Sequence, residues 1–384
     1  MIRKEFSRYF TAAFLLALTA IASTQLARAE DIRFDALNIP VSISGSDRVE
    51  FEAMVVRPDD RLPHPLVVLN HGSPRDQDDR SAMAPYGMWP QAAAFARRGW
   101  VAVAFLRRGY GRSGGEWAET YGSCSHPDYA RAGRAGASDI AAVAKFMMSE
   151  PYVSKDKWIS AGHSAGAFAT VALTADPPPG LAAAISFAPG RGSTSADEVC
   201  GEAQLVAAFA AYGKTSRVPL LWVSADNDHF FGPRLVPRLT GAFAAAGGNL
   251  TYIKAPSFGS DGHQLFSAAS GVPVWSPIVD RFLTANRLVF RDRPIDIPVP
   301  ATPAGLGASG QAAFKTYLES GPNKAFAAGG SRFGWATGRR SIDEARKEAL
   351  GYCMSGPSAT CRIVNVNNKP AEEGRRAAPH SADR

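Results

Sequence analysis

Between residues 48 and 290, short and almost uninterrupted apolar runs alternate with longer segments of helical periodicity, and that alternation leaves few folds open. Residues 67–69 end at Asn70-His71-Gly72, and a helical stretch over 88–98 follows. A buried strand reads over 100–106, a helix over 131–148, and further strands over 158–161, 182–187, 220–223 and 250–253. Strands that are apolar on both faces, separated by helices, describe a parallel sheet covered on both sides. The expectation is a doubly wound α/β domain, whose ligand lies outside the carboxyl ends of the strands. Residues standing just after strands are therefore the ones to question.

The most specific of them are Gly162-His163-Ser164-Ala165-Gly166, directly after the 158–161 strand and directly before a helical run over 165–174. A nucleophile must project from a sharp strand-to-helix turn, and flanking glycines relieve the crowding there. Serine needs a base, and the base needs an orienting acid; in this arrangement both follow the nucleophile in the chain. The loop after the 220–223 strand offers Asp226 and Asp228. Asp228 is the expected acid because it lies deeper in the loop, and Asp226 suits a turn or cap. Three histidines follow Ser164: His229, next to the acid, His380, in the tail, and His263, in a glycine-rich loop after the last strand. His263 is the expected base. The oxyanion donors are expected to be the backbone N–H groups of Ala165 and Ser73, since Pro74 has none. His71 reads as a residue that ties its loop down.

The chain's ends read differently. Arg3, Lys4 and Arg8 precede an apolar run from about residue 10 to 22, and Ala27-Arg28-Ala29 offers a small-x-small cleavage pattern. Residues 1–29 are expected to be a signal peptide, with a retained N-terminal anchor as the alternative; the run is short for a membrane span. Of the formal charge of +7, those residues hold Arg3, Lys4, Arg8 and Arg28 against Glu5, so the remainder carries +4. That charge is spread along the chain, which argues against a nucleic-acid partner. Export to a periplasmic or extracellular compartment permits disulfides, and Cys124–Cys200 with Cys353–Cys361 is the most economical of three pairings. No metal-ligand spacing occurs, and no cofactor is expected. The hydrolytic domain is expected over 30–292. Residues 293–310, with Pro294, Pro298, Pro300 and Pro303, read as a linker. A small module of unknown role should occupy 311–366, containing a helix over 341–352 capped by Ser341 with Glu344, and 367–384 reads as a disordered tail.

Taken in order, the His71-Gly72 loop, the segment Arg107-Arg108-Gly109-Tyr110-Gly111-Arg112-Ser113-Gly114-Gly115, the Ser164 elbow, Asp228 and Asp261-Gly262-His263 resemble the α/β-hydrolase superfamily. The resemblance covers roughly residues 48–290 and is to the dienelactone-hydrolase-like and prolyl-oligopeptidase-like branches in particular. It implies the α/β-hydrolase fold, an eight-stranded, mostly parallel sheet with helices on both faces, and acyl transfer to water. It also implies that residues 107–115 are a fold marker and that residues 190–215 form a lid, which a Cys124–Cys200 bridge would tie over the acyl pocket. Dienelactone hydrolases proper carry a cysteine nucleophile where this chain has Ser164, and no gating propeller is visible. The leading expectation is thus a carboxylic-ester hydrolase acting on a small molecule through Ser164, Asp228 and His263. A peptidase with the same triad acting on short peptides is the alternative, and a binding protein on a hydrolase scaffold is a third.

Overall fold

The computed structural model describes residues 31–42, 48–289, 291, 293–355 and 360–371; the expected signal peptide lies outside them, as do residues 372–384. Ten strands precede the C-terminal segment: β1 (Ile32–Ser42), β2 (Arg48–Pro58), β3 (His64–Asn70), β4 (Val101–Phe105), β5 (Val153–His163), β6 (Leu181–Phe187), β7 (Ser193–Ser195), β8 (Glu198–Val199), β9 (Leu220–Ala225) and β10 (Leu250–Ala255). Eight of them form one sheet in the order β1-β2-β4-β3-β5-β6-β9-β10. The pairs β1–β2 and β2–β4 are antiparallel, and every pair from β4 onward is parallel.

Alternation along the strands builds two cores. Leu66 and Val68 of β3, with Val101, Val103 and Phe105 of β4, face α2 (Tyr129–Met147), α3 (Ala165–Ala175), α4 (Glu202–Gly213) and α5 (Val236–Ala245). Val67, Leu69, Ala102 and Ala104 face α1 (Trp89–Arg97) and α6 (Val272–Ala285) on the other side. Because successive side chains point to opposite faces, a strand buried on both must be apolar throughout, as β4 is. Strand β3 lies between β4 and β5, so the chain departs to opposite sides from its carboxyl end. That switch point is where such sheets hold ligands.

The structure differs from the sequence reading in three places. The expected lid over 190–215 divides: α4 is a crossover helix with Leu205, Phe209 and Tyr212 in the core, and only the loop and the β7–β8 hairpin before it stand over the site. The expected linker over 293–310 is a packed strap. Ile295 is buried, its N–H donates to Arg97 O and its carbonyl accepts from Arg97 Nε, both at 2.7 Å, and Leu306 is buried further along. Ordered chain also continues past Asn367, because Asn367 and Asn368, both at positive φ, turn the chain so that Lys369–Pro370 pairs with the preceding strand.

The C-terminal segment folds as α7 (Ala308–Glu319), β11 (Ala325–Gly329), β12 (Arg332–Ala336), α8 (Ile342–Cys353), β13 (Arg362–Val366) and β14 (Lys369–Pro370), with an antiparallel sheet in the order β12-β11-β13-β14. Ala345, Ala349 and Cys353 of α8 pack on one face of that sheet, and Phe314 and Tyr317 of α7 on the other. Ser341 Oγ accepts the Glu344 N–H at 3.1 Å, while the Glu344 carboxylate accepts from Arg340 N–H at 3.2 Å. Both cysteine pairs are bridged as Cys124–Cys200 and Cys353–Cys361. Among the described residues, no helix is long and apolar enough to cross a membrane.

Candidate active site

Strand β5 runs straight into Ser164, whose φ of 54° and ψ of −121° no ordinary strand or helix adopts. Holding a non-glycine residue there costs on the order of 1–3 kcal/mol, which the surroundings must offset. They do so by close packing. A Cβ on Gly162 would stand 2.5 Å from Gly166 O, and one on Gly166 would stand 2.4 Å from both Asn70 O and His71 O. Ser164 N–H donates to Phe187 O at 3.0 Å, tying the turn to the end of β6. As the first residue of α3, Ala165 has an N–H with no acceptor inside the helix.

The loop after β9 carries Asp228, and the turn after β10 carries His263. His263 Nδ1 lies 3.1 Å from both Asp228 carboxylate oxygens, and both side chains are buried. Asp228 Oδ1 also accepts the N–H groups of Phe230, at 2.7 Å, and Phe231, at 3.0 Å. A carboxylate so placed holds the proton on Nδ1 and leaves Nε2 as an acceptor. Asp226 instead pairs with Lys254 at 2.7 Å on the surface, and His229 pairs with Asp197. Phe230 stacks on the His263 ring with centroids 3.9 Å apart. Among the described residues, neither Ser164 Oγ nor His263 Nε2 has a hydrogen-bond partner, and no bond joins them. In substrate-free hydrolases this contact often forms only as substrate binds.

His163, beside Ser164, is tied to His263. Its Nε2–H donates to the His263 carbonyl at 2.7 Å, and burial, with the neighbouring His263, lowers its pKa to about 3. His71 ties down the opposite loop: Nδ1–H donates to Gly72 O at 2.6 Å, and Nε2 accepts the Arg107 N–H at 3.1 Å. Burial, and then Arg107, lowers the His71 pKa to about 3, so the ring is neutral. The loop it fixes runs against Ser164, since a Cβ on Gly72 would stand 3.2 Å from Ser164 Cβ. Ser73 follows in that loop, with its Oγ 3.0 Å from Tyr110 OH.

Sequence reasoning missed the charged cluster beside Ser164. Arg107 and Arg191 both pair with the buried Glu119, which also accepts from Tyr110 OH at 3.1 Å. Burial alone would raise the Glu119 pKa, but the two guanidiniums pull it down to about 2. A cavity of about 140 Å³ opens above, lined by Ser73, Arg75, Arg80, Ser164, Ala165 and Arg191 among others. Arg191 had a signal that could have been read, Gly190-Arg191-Gly192 just after β6; Glu119 had none. The Cys124–Cys200 bridge joins the segment bearing Thr120 and Gly122, on one wall, to the segment that follows Gly192 on the other.

The strand order, with a sharp strand-to-helix turn at Ser164, is that of the α/β-hydrolase fold. Within that class, residues 47–229, a little under half of the chain, match the family model described as X-Pro dipeptidyl-peptidase (S15 family). Among solved structures, an esterase of Pyrococcus furiosus is 14% identical with a TM-score of 0.47, the likeness covering 66% of this chain and 93% of that one. Esterase 2 of Thermogutta terrifontis is 18% identical with a TM-score of 0.46, covering 67% and 97%. An acylaminoacyl peptidase is 17% identical with a TM-score of 0.48, covering 67% of this chain and 43% of that one. No curated protein matches the chain in sequence.

Proposed function

We propose that the chain is an exported serine hydrolase that cleaves a small carboxylic ester through an acyl-enzyme on Ser164. The observation that carries this reading is the Asp228–His263 pair, with Nδ1 held at 3.1 Å from both carboxylate oxygens, at the same sheet edge as the Ser164 elbow. In this reading Ser164 Oγ attacks the carbonyl carbon and its proton passes to His263 Nε2. The Ala165 and Ser73 N–H groups receive the oxyanion. Nε2 returns the proton to the departing alcohol, then takes one from the water that attacks the acyl-enzyme and delivers it to Ser164 Oγ as the acid leaves. Asp228 keeps Nδ1–H in place and stabilises the transient imidazolium. The cavity of about 140 Å³ suits a short acyl group. The two disulfides and the basic-then-apolar N-terminus support export to the periplasm or beyond.

A peptidase using the same residues is the second reading, favoured by the S15 match over 47–229. A fluorophosphonate probe should label the native protein, and Ser164→Ala should abolish labelling. Paired 4-nitrophenyl butyrate and Ala-Pro 4-nitroanilide then separate ester from amide cleavage. Labelling that survives in Ser164→Ala would remove the nucleophile assignment.

A further inference from the structure

The cavity beside Ser164 is unusual in its charge. Its lining contains Arg75, Arg80 and Arg191 and no aspartate or glutamate. Buried Glu119, which pairs with the lining Arg191, has both oxygens engaged, one by Arg107 and the other by Arg191 and Tyr110. One carboxylate therefore faces two guanidiniums, and the buried cluster keeps a net positive charge. Arg191 is 6% exposed, and its Nε is buried without a hydrogen-bond partner. A buried guanidinium donor left open costs free energy unless something fills it.

The backbone is shaped to bring that guanidinium there. A Cβ on Gly190 would stand 2.5 Å from the Phe231 ring, and one on Gly192, at φ 85°, 2.0 Å from Tyr129 OH. The two glycines let the chain after β6 pass between these rings and hand Arg191 to the cavity floor. Arg75 and Arg80 are braced at the rim, stacked on Phe230 at 3.6 Å and on Trp117 at 3.8 Å.

We infer that this cavity binds a carboxylate on the acyl part of the substrate, so that the preferred esters are half-esters of short dicarboxylic acids. This rests on the proposed hydrolysis at Ser164 and names its substrate class. Planar guanidiniums accept a carboxylate through paired charge-assisted bonds, and a free ammonium in the same place would meet only cations. The same charge pattern disfavours a peptide whose free amino terminus must enter this cavity.

Three methyl esters of matched length test it: monomethyl glutarate, methyl 5-methylhexanoate, in which an isopropyl group replaces the carboxylate, and methyl 5-aminopentanoate. Followed by pH-stat, kcat/KM for the native protein should be about tenfold or more higher for the glutarate half-ester than for the isopropyl ester, with the amine slowest. That ratio should collapse toward one in Arg191→Gln. Should Arg191→Gln fail to fold, Arg80→Gln reads the same ratio at the rim, and glutarate should inhibit the native protein where the uncharged glutaramide does not. Equal or faster turnover of the isopropyl ester by the native protein overturns the inference while leaving the hydrolase reading intact. If no ester is cleaved, the hydrolase reading fails. Calorimetric titration of glutarate then decides the cavity: binding that is lost in Arg191→Gln supports the anion site, and no binding overturns it.

Discussion

The carboxyl edge of the large sheet and the C-terminal module both bury polar groups, but they dispose of them differently. In the module, Lys324 Nζ donates to the carbonyls of Tyr317, Leu318 and Ser320 at 2.7, 2.8 and 2.7 Å, so its three hydrogens are all used. Tyr317 OH likewise ends on Asn365 Oδ1 at 2.8 Å. The bonds of Lys324 and Tyr317 close within the module and fasten α7 to the sheet, although Asn368 Oδ1 is buried there without a partner. At the carboxyl edge, Ser164 Oγ, His263 Nε2 and Arg191 Nε have no partner among the described residues. A closed network marks architecture, and one with open donors and acceptors around a cavity marks chemistry. The two regions touch through Arg340, which reaches Glu52 of β2 at 3.2 Å and Met83 O at 3.4 Å.

The largest expected effect lies in the acid loop, where both dispositions occur two residues apart. Asp228 faces His263, whereas Asp226 is on the surface with Lys254. Asp228→Asn should lower kcat/KM by roughly 10⁴-fold, because the amide can hold the imidazole in the wrong tautomer. Asp226→Asn removes an exposed, solvent-screened ion pair and should leave turnover within roughly threefold. Measured side by side on one ester, comparable losses in the two variants would erase the distinction between open and closed networks.

That distinction also marks what could be read in the sequence. The alternation of apolar runs with helices was enough for the six parallel strands, because a strand buried on both faces has no other way to be written, whereas the half-exposed β1 and its antiparallel partner β2 did not stand out. The elbow, the two aspartates and His263 announced themselves by standing just after strands. The Arg107–Glu119–Arg191 cluster did not. Its members are 12 and 72 residues apart in sequence and meet only because β4 and β6 end at one edge. The lid was misjudged because α4 has an apolar surface that suits a lid and a crossover helix equally. The strap over 293–310 was misjudged because proline-rich composition does not reveal a buried Ile295.

Acid and base should act on the two regions in different pH windows. At the edge, His71 and His163 each have a folded pKa of about 3, below the unfolded value of 6.5. The unfolded chain binds more protons between those values, so stability is fully present above pH 6.5 and is lost as pH falls toward 3. Each shift corresponds to roughly 5 kcal/mol. The geometry agrees for His71, since a proton on Nε2 would point at the Arg107 N–H. The module has no histidine between residues 308 and 371. Its Lys324 has a folded pKa of about 7, depressed by burial, against 10.5 unfolded, so the module should gain stability as pH rises from 7 to 10.5. Hydrogen exchange, corrected for intrinsic rates, should show α3 peptides losing protection below pH 6 while α8 peptides hold theirs. Joint loss of protection would show that the two regions open as one unit.

The smallest effects come from the disulfides, which compare the same regions through loop closure. Cys124–Cys200 spans 76 residues and Cys353–Cys361 spans 8. Chain entropy assigns about 4–5 kcal/mol to the first and about 2–3 kcal/mol to the second. Only the first joins two walls of the cavity, with Thr120 and Gly122 on one side and Arg191 and Gly192 on the other. Cys124→Ser/Cys200→Ser should therefore lower Tm and also raise KM, by loosening the loop that holds Arg191. Cys353→Ser/Cys361→Ser should lower the stability of the module alone and leave KM unchanged. A raised KM in the second variant would mean that the module bears on the cavity, with the Arg340–Glu52 contact as the route to examine next.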